Sequence, residues 1–151
     1  MEIDDETRIN YGLPDRAEYA IFLPSDWKLD SESLKDERYY WPLRVLKDSA
    51  RLPIWTESWL GYGHTISPAD GELLTEGMPY NSALLTYPTP GFDTMQYADL
   101  TSGKSVNFFQ LHPLTPEELE YKTEHGTSDL LGRIYPEGCD IMQTILDRMK
   151  S

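Results

Sequence analysis

The segment 41–66 constrains the fold more than any other part of the sequence, because it joins a short helix to a glycine-containing aromatic turn. Pro42 suits the first turn of a helix and Pro53 suits its end, so we expect a helix over residues 42–51. Leucine and alanine recur at helical spacing on one face, while charged residues occupy the other. The expected core face carries Leu43, Leu46 and Ala50, and the expected solvent face carries Arg44, Lys47, Asp48 and Arg51.

The second half of this segment interleaves aromatic residues with glycines, which allows the backbone to bend while large side chains stay beside it. We expect a strand and turn over residues 59–66. We call residues 59–65 the recognition turn, because such a turn can present a histidine or backbone amides to a partner. Its candidate partner-binding residues are Trp59, Gly61, Tyr62, Gly63, His64 and Thr65.

The rest of the chain alternates strand patterns with turn residues and ends in helices. Residues 18–23 are apolar on both faces and predict a buried strand. Residues 67–81 are rich in proline, glycine and aspartate and predict a surface loop. The segments 82–87, 95–100 and 105–111 predict further strands. Strands followed by helices indicate an α+β fold with one core over residues 1–151.

The strongest local signal begins at Thr115, which precedes a proline and stands three residues before Glu118. This spacing is typical of a helix cap in which the threonine and the glutamate each bond the other's backbone amide. Gly126 suits the end of that helix, and Thr127 suits the cap of the next. A last helix follows, with an apolar stripe of Ile141, Met142, Ile145, Leu146 and Met149.

Three motifs resemble segments of the suppressor-of-fused domain, and along the chain they follow the order found in that family. They are WPLRVLKDSAR at residues 41–51 with GYGHTI at 61–66, the run NFFQLHPLTPEELEYKTEHGTSDLLGRI at 107–134, and RAEYAIFLPSDWKL at 16–29. The resemblance implies a mixed, largely antiparallel β-sheet flanked by helices. Because the family has further strands before the position matched by residues 10–14, it also implies a domain that is shortened at its N-terminus. An unpaired sheet edge left by that shortening predicts a homodimer or poor solubility.

Charge restricts the partners. The formal net charge is -13, which opposes binding to nucleic acid and to anionic membranes and favours a basic protein partner. Between residues 52 and 103 there are six acidic residues and no lysine or arginine. We therefore add Asp70, Glu72 and Glu76 to the candidate partner-binding residues. An acidic surface also serves solubility, which is the simpler explanation for the charge alone.

No catalytic set is visible, and we expect neither a cofactor nor a metal site. The single cysteine, Cys139, excludes an intrachain disulfide. Without a leader or a long apolar run, the sequence predicts a cytoplasmic protein. The histidines and Cys139 lack the close spacing of zinc ligands. His64 is the one residue with two serious interpretations, as a partner contact or as a ring whose nitrogens tie the turn to backbone carbonyls, and we favour the structural one. His112 is expected to pack, and His125 to cap a helix end. Trp55, Trp59 and Tyr62 are expected in the core, although such residues also anchor interfaces.

The resemblance completes the functional expectation. Suppressor-of-fused domains are not known as enzymes, animal members capture a transcription-factor segment by strand addition, and many bacterial members are thought to be immunity proteins against toxins. A small, acidic, single-domain chain looks more like the bacterial type. We therefore expect a non-enzymatic domain that neutralises a basic toxin, for example a nuclease. The alternative is a regulatory module that binds a peptide as an added strand, and an undetected hydrolase that uses His64 is a distant third.

Overall fold

A computed structural model describes Glu6, residues 16–88, the short strand 97–99 and residues 105–150. Its strands are β1 (Arg16–Ala20), β2 (Thr65–Ile66), β3 (Ser82–Thr86), β4 (Tyr97–Asp99) and β5 (Ser105–Leu114). Its helices are α1 (Glu37–Thr56), α2 (Pro116–His125), α3 (Thr127–Ile134) and α4 (Ile141–Arg148), with a 3₁₀ turn at Ser33–Lys35. The predicted α+β fold is confirmed.

The ten-residue strand β5 is the centre of the sheet, whose main strand order is β1-β5-β3-β2. On one side β5 pairs with β1 in parallel, with Ala17 opposite Asn107. On its other side β5 pairs antiparallel with β4 over its first residues and with β3 over its last ones. Because only the β1 pair is parallel, the sheet is mixed and largely antiparallel, as the resemblance implies.

Helices cover the sheet on both faces, and β3 shows this most clearly. All of its residues are buried, and successive side chains point to opposite faces. Leu85 joins a large cluster with Trp41 and Val45 of α1, while Leu84 joins a smaller cluster with Leu130 of α3. The continuous apolar pattern of this strand therefore reflects burial on two sides.

Helix α1 is longer than predicted, and the expected ends at Pro42 and Pro53 are wrong. Asp36 caps its start by accepting a hydrogen bond from the Arg38 amide, and both prolines lie inside the helix. An internal proline costs a helix about 3 kcal/mol or more, chiefly through one lost hydrogen bond and a steric clash. Here the surrounding packing offsets that cost, because Trp41, Pro42, Val45, Ser49 and Pro53 form the buried face of the helix. The leucine and alanine face expected in the core is only half-buried.

Three smaller expectations are also wrong. The first strand lies at Arg16–Ala20 instead of 18–23. It is not a fully buried strand: β1 is the last described strand on one side of the sheet, and only its residue Ala17 is buried. Thr127 does not cap α3, whose N-cap is Gly126. Trp55 and Tyr62 do not lie in the core, because they are 64% and 42% exposed.

The predicted surface loop 67–81 has no regular structure, yet part of it belongs to the core. Its buried side chains are Leu74, Thr75, Met78 and Tyr80. Tyr80 donates a hydrogen bond to the Arg148 carbonyl at 2.6 Å, which ties the loop to the end of α4. The predicted strand 105–111 is confirmed and extends to Leu114. The predicted strand 95–100 is described only at Tyr97–Asp99, and its remaining residues lie outside the described part of the chain.

Candidate functional site

The recognition turn continues β2 beside the end of β3. The Gly63 amide donates to the Leu85 carbonyl at 2.8 Å, and the Leu85 amide donates to the His64 carbonyl at 2.9 Å. Within the turn, the His64 amide donates to the Gly61 carbonyl at 3.1 Å. The predicted strand and turn are therefore present, although regular pairing in β2 is limited to Thr65 and Ile66.

His64 acts on the turn itself. Its Nδ1 accepts a hydrogen bond from the Gly61 amide at 3.3 Å, and its ring packs on Trp59 with centroids 4.8 Å apart. Partial burial lowers the pKa of His64, and the charge of Lys122 lowers it further. A neutral imidazole that accepts a bond through Nδ1 fits the structural interpretation, although its partner is an amide and not a carbonyl.

Both glycines of the turn are required by geometry. A Cβ on Gly61 would lie 2.8 Å from Trp59 Cζ3. Gly63 has a φ of +82°, and a Cβ there would approach the Thr127 hydroxyl to 3.2 Å. The turn therefore packs closely on the start of α3, and neither position accepts a side chain without a shift.

Beside the turn lies an apolar groove of about 320 Å³, which we call the aromatic groove. Tyr62 and Tyr87 stand at its rim, with their rings stacked and their centroids 5.1 Å apart. Both are exposed, by 42% and 40%. The groove is lined chiefly by Tyr62, Tyr87, Pro88, Leu131, Tyr135 and Ile141. It joins the recognition turn, the end of β3 and α3 into one concave surface.

Sequence reasoning missed most of this groove. Of its chief lining residues only Tyr62 was a candidate, because the others come from segments far apart in the chain. The proximity of Tyr87 and Tyr135 depends on how α3 crosses the sheet, which no local pattern encodes.

A hydrogen-bonded chain crosses the floor of the groove. Thr86 Oγ1 donates to the Tyr87 carbonyl at 2.8 Å and lies 2.7 Å from His112 Nε2. The hydroxyl has a single proton, so Nε2 must carry the hydrogen of that second bond, and Nδ1 then accepts from the Tyr135 hydroxyl at 2.8 Å. Burial lowers the pKa of His112 to about 3, and the charge of Arg148 contributes. His112 is thus a neutral structural histidine, in agreement with the expectation that it packs.

The three candidate acids lie at the other end of β3. Asp70, Glu72 and Glu76 are exposed in the loop 67–81, which leads into Ser82, whereas the recognition turn pairs with Leu85. Three residues of strand separate these ends by roughly 10 Å. We call residues 67–81, which carry these three acids, the acidic loop. In the described part of the chain, none of its three carboxylates forms an ion pair.

The structure therefore arranges the candidate residues as two neighbouring features instead of one patch. The recognition turn borders the aromatic groove, and the acidic loop contributes Glu76 to the wall of a larger cavity of about 450 Å³. Across residues 16–88 and 105–150, no three histidine, cysteine, aspartate or glutamate side chains cluster as metal ligands. Within the same ranges, no helix is long and apolar enough to cross a bilayer.

Comparison with known proteins agrees with this architecture. The family model described as "Suppressor of fused protein (SUFU)" matches residues 2–144. No curated protein matches the chain.

Two crystal structures share the fold. One is a chain of the Sufu-Fu complex, with a TM-score of 0.54 and 20% identity over 74% of this chain. The other is Drosophila Suppressor of Fused, with a TM-score of 0.54 and 22% identity over 72% of this chain. This chain spans 42% of the first structure's chain and 23% of the second. Since the family model covers nearly the whole sequence, and the sheet and helices follow the same architecture, the chain belongs to the suppressor of fused family.

Proposed function

We propose that this chain is a non-enzymatic protein-binding domain that neutralises a basic toxin. The observation that carries the proposal is the aromatic groove beside the recognition turn. Its walls are apolar, its rim holds two exposed tyrosines, and its floor histidine is already satisfied on both ring nitrogens. A concave apolar surface of this kind suits an apolar side chain of a partner.

The state of His112 argues against a catalytic role for this groove. A general base needs a ring nitrogen that reaches the substrate and a pKa near the working pH. His112 is 3% exposed, and both of its nitrogens are bonded to protein groups. His64 Nδ1 accepts from the Gly61 amide, so this nitrogen is already used within the turn. Binding is therefore the function that the geometry supports.

The acidic loop supports a basic partner. Carboxylates without a cationic neighbour leave their field directed into solvent, where it attracts positive charge before contact. Such attraction raises the association rate and weakens as salt is added. The Sufu-Fu complex provides a precedent for partner binding by a protein of this fold. The basic, toxin-like character of the present partner rests on the charge of this chain and on its resemblance to immunity proteins.

The alternative, capture of a peptide as an added strand, has less support at the β2 end of the sheet. There β2 offers only Thr65 and Ile66, and few backbone hydrogen bonds can form along two residues. At the opposite end, β1 is five residues long and is the last described strand of the path. Strand addition predicts an extended apolar partner segment and little dependence on salt.

Association kinetics test the proposal. The variant Asp70→Lys/Glu72→Lys/Glu76→Lys should bind a basic toxin encoded by a neighbouring gene about tenfold or more slowly at low salt, because the steering field is reversed. The difference should shrink as salt is added. The measurement is the association rate by stopped flow or surface plasmon resonance over a salt series.

A matched control reverses three exposed acids elsewhere. Glu120→Lys/Glu124→Lys/Glu137→Lys produces the same change in net charge, but its substitutions lie on α2 and in the loop before α4. It should slow association much less. Equal slowing in the two variants would reject the acidic loop as the docking surface, and unchanged rates in both would reject charge-guided binding.

A further inference from the structure

The outer face of α1 is the most exposed apolar surface in the described part of the chain. Ile54 is 73% exposed and Trp55 is 64% exposed, which are the two highest values among the large hydrophobic side chains there. A tryptophan left mainly in water forgoes the burial that makes this residue stabilising. Exposed apolar residues grouped in this way mark interaction sites.

Two cations share this face. Lys47, Arg51 and Trp55 stand at positions i, i+4 and i+8 of α1, and Ile54 is seven residues after Lys47, so the four lie on one side of the helix. The opposite side is the buried face described above. Lys47 packs over the Tyr40 ring at 5.2 Å, and neither cation forms an ion pair with a described carboxylate, although the half-buried Asp48 flanks them. We call Lys47, Arg51, Ile54 and Trp55 the basic stripe.

The acidic loop runs along the same helix. The guanidinium of Arg44 donates to the Leu74 carbonyl, and residues 75–78 lie across a shared cavity from residues 38–41. The loop therefore passes α1 in the antiparallel direction, with Leu74 beside the middle of the helix. Leu73, the residue before this contact, is 50% exposed. A cationic strip and an anionic strip, both with exposed apolar side chains, thus share the α1 side of the molecule.

We propose that this surface is self-complementary and that its occupant is a second copy of this chain. A two-fold axis between the two strips places the basic stripe of each protomer on the acidic loop of the other. Trp55 and Ile54 then pack near Leu73 of the partner protomer, while the unpaired charges meet their opposites. This surface differs from the sheet edge that the sequence implicated in dimerisation, and the proposal does not depend on toxin binding.

Net charge sets the conditions for such a dimer. Each protomer carries -13, so long-range repulsion opposes the approach of two copies at low salt. At about 0.15 M salt the Debye length is ~8 Å, which screens that repulsion more than it screens pairs in direct contact. A dimer should therefore be most evident near physiological ionic strength.

Charge swapping tests the proposal. Two variants, Lys47→Glu/Arg51→Glu and Glu72→Lys/Glu76→Lys, should each sediment as monomers, because each places like charges in contact. An equimolar mixture of the two should recover a heterodimer, because opposite charges then meet at both contacts. At one contact the reversed stripe of the first variant meets the reversed loop of the second, and at the other the unchanged stripe meets the unchanged loop. The measurement is sedimentation equilibrium of each variant, of the mixture and of the wild-type chain. Trp55→Ala should weaken the wild-type dimer about tenfold or more.

Each other outcome counts against the proposal. A wild-type chain that stays monomeric at every concentration would overturn it. A dimer that persists in both variants would place the interface elsewhere, as a sheet-edge dimer requires. Variants that fail to recover a heterodimer while keeping wild-type circular dichroism and unfolding temperature would also reject it. None of these readouts involves a toxin, so they are independent of the proposed function.

Discussion

His112 shows how a single residue can be fixed by its neighbours. The ring donates to Thr86 and accepts from Tyr135, and these two hydrogen bonds allow only one tautomer of the imidazole. Burial keeps that ring neutral. Because Thr86 lies on β3 and Tyr135 ends α3, the ring also links the sheet to the helix layer. The expectation that this histidine packs was available from the sequence. Its two partners were not, since they lie 26 and 23 residues away along the chain.

A pH-dependent stability follows from this residue. The folded pKa of His112 is about 3, below the unfolded value of ~6.5, so stability is complete above pH 6.5 and is lost as the pH falls toward 3. Acidification from pH 7.5 to pH 5 should cost about 2 kcal/mol through this group alone. Urea unfolding of His112→Gln should show a smaller loss between these pH values. His125→Gln, at an exposed position on α2, should retain the wild-type loss, and equal losses in all three proteins would contradict this role.

The helices at the end of the chain show which elements a sequence pattern can predict. The capping box at Thr115 and Glu118 is formed as predicted, because all of its partners lie within four residues. Helix α1 extends past both predicted ends, because its length depends on burial against the sheet and the loop. Local chemistry therefore predicts caps well, whereas tertiary packing decides whether an internal proline is tolerated.

Arg148 joins three elements in a way that no pattern indicated. From α4 it reaches both carboxylate oxygens of Glu118 on α2 at 2.7 Å and the Pro113 carbonyl of β5 at 2.7 Å. Only 19% of its side chain and 20% of that of Glu118 are exposed. The pair lowers the pKa of Glu118 through hydrogen bonding and charge, against the opposing effect of burial.

Removing this arginine should destabilise the fold. Arg148→Met leaves a half-buried carboxylate and a carbonyl without their donor, which we expect to lower the free energy of unfolding by about 2–3 kcal/mol. Lys150→Met is the matched control, because its pair with Asp147 is exposed to solvent and its loss should change the free energy of unfolding much less. Urea denaturation measures both changes. If Arg148→Met costs no more than Lys150→Met, the three-element link is not a stabilising feature.

At the scale of the whole molecule, the sequence could predict the acidic surface but not the aromatic groove. The sequence predicted the acidic loop from the absence of basic residues between 52 and 103, and those side chains are indeed exposed. It could not predict that the aromatic groove lies at the other end of β3, because the groove is built where the turn, β3 and α3 meet. The exposed position of Trp55 in the basic stripe was also missed, since a tryptophan is assigned to the core unless the helix orientation is known.

The two proposals assign these features to different partners. The groove and the acidic loop suit a basic partner, and the basic stripe suits a second copy. Because Glu72 and Glu76 contribute to both surfaces, toxin binding and self-association should compete.

The most direct test of the proposed binding function is a neutralisation titration with a basic toxin encoded by a neighbouring gene. The activity of that protein is followed while the purified chain is added. Binding without chemistry predicts that activity falls to zero near one equivalent, and that both proteins are recovered intact and active after separation in high salt. Full activity in the presence of excess folded chain would contradict the claim, as would a partner recovered in covalently altered form.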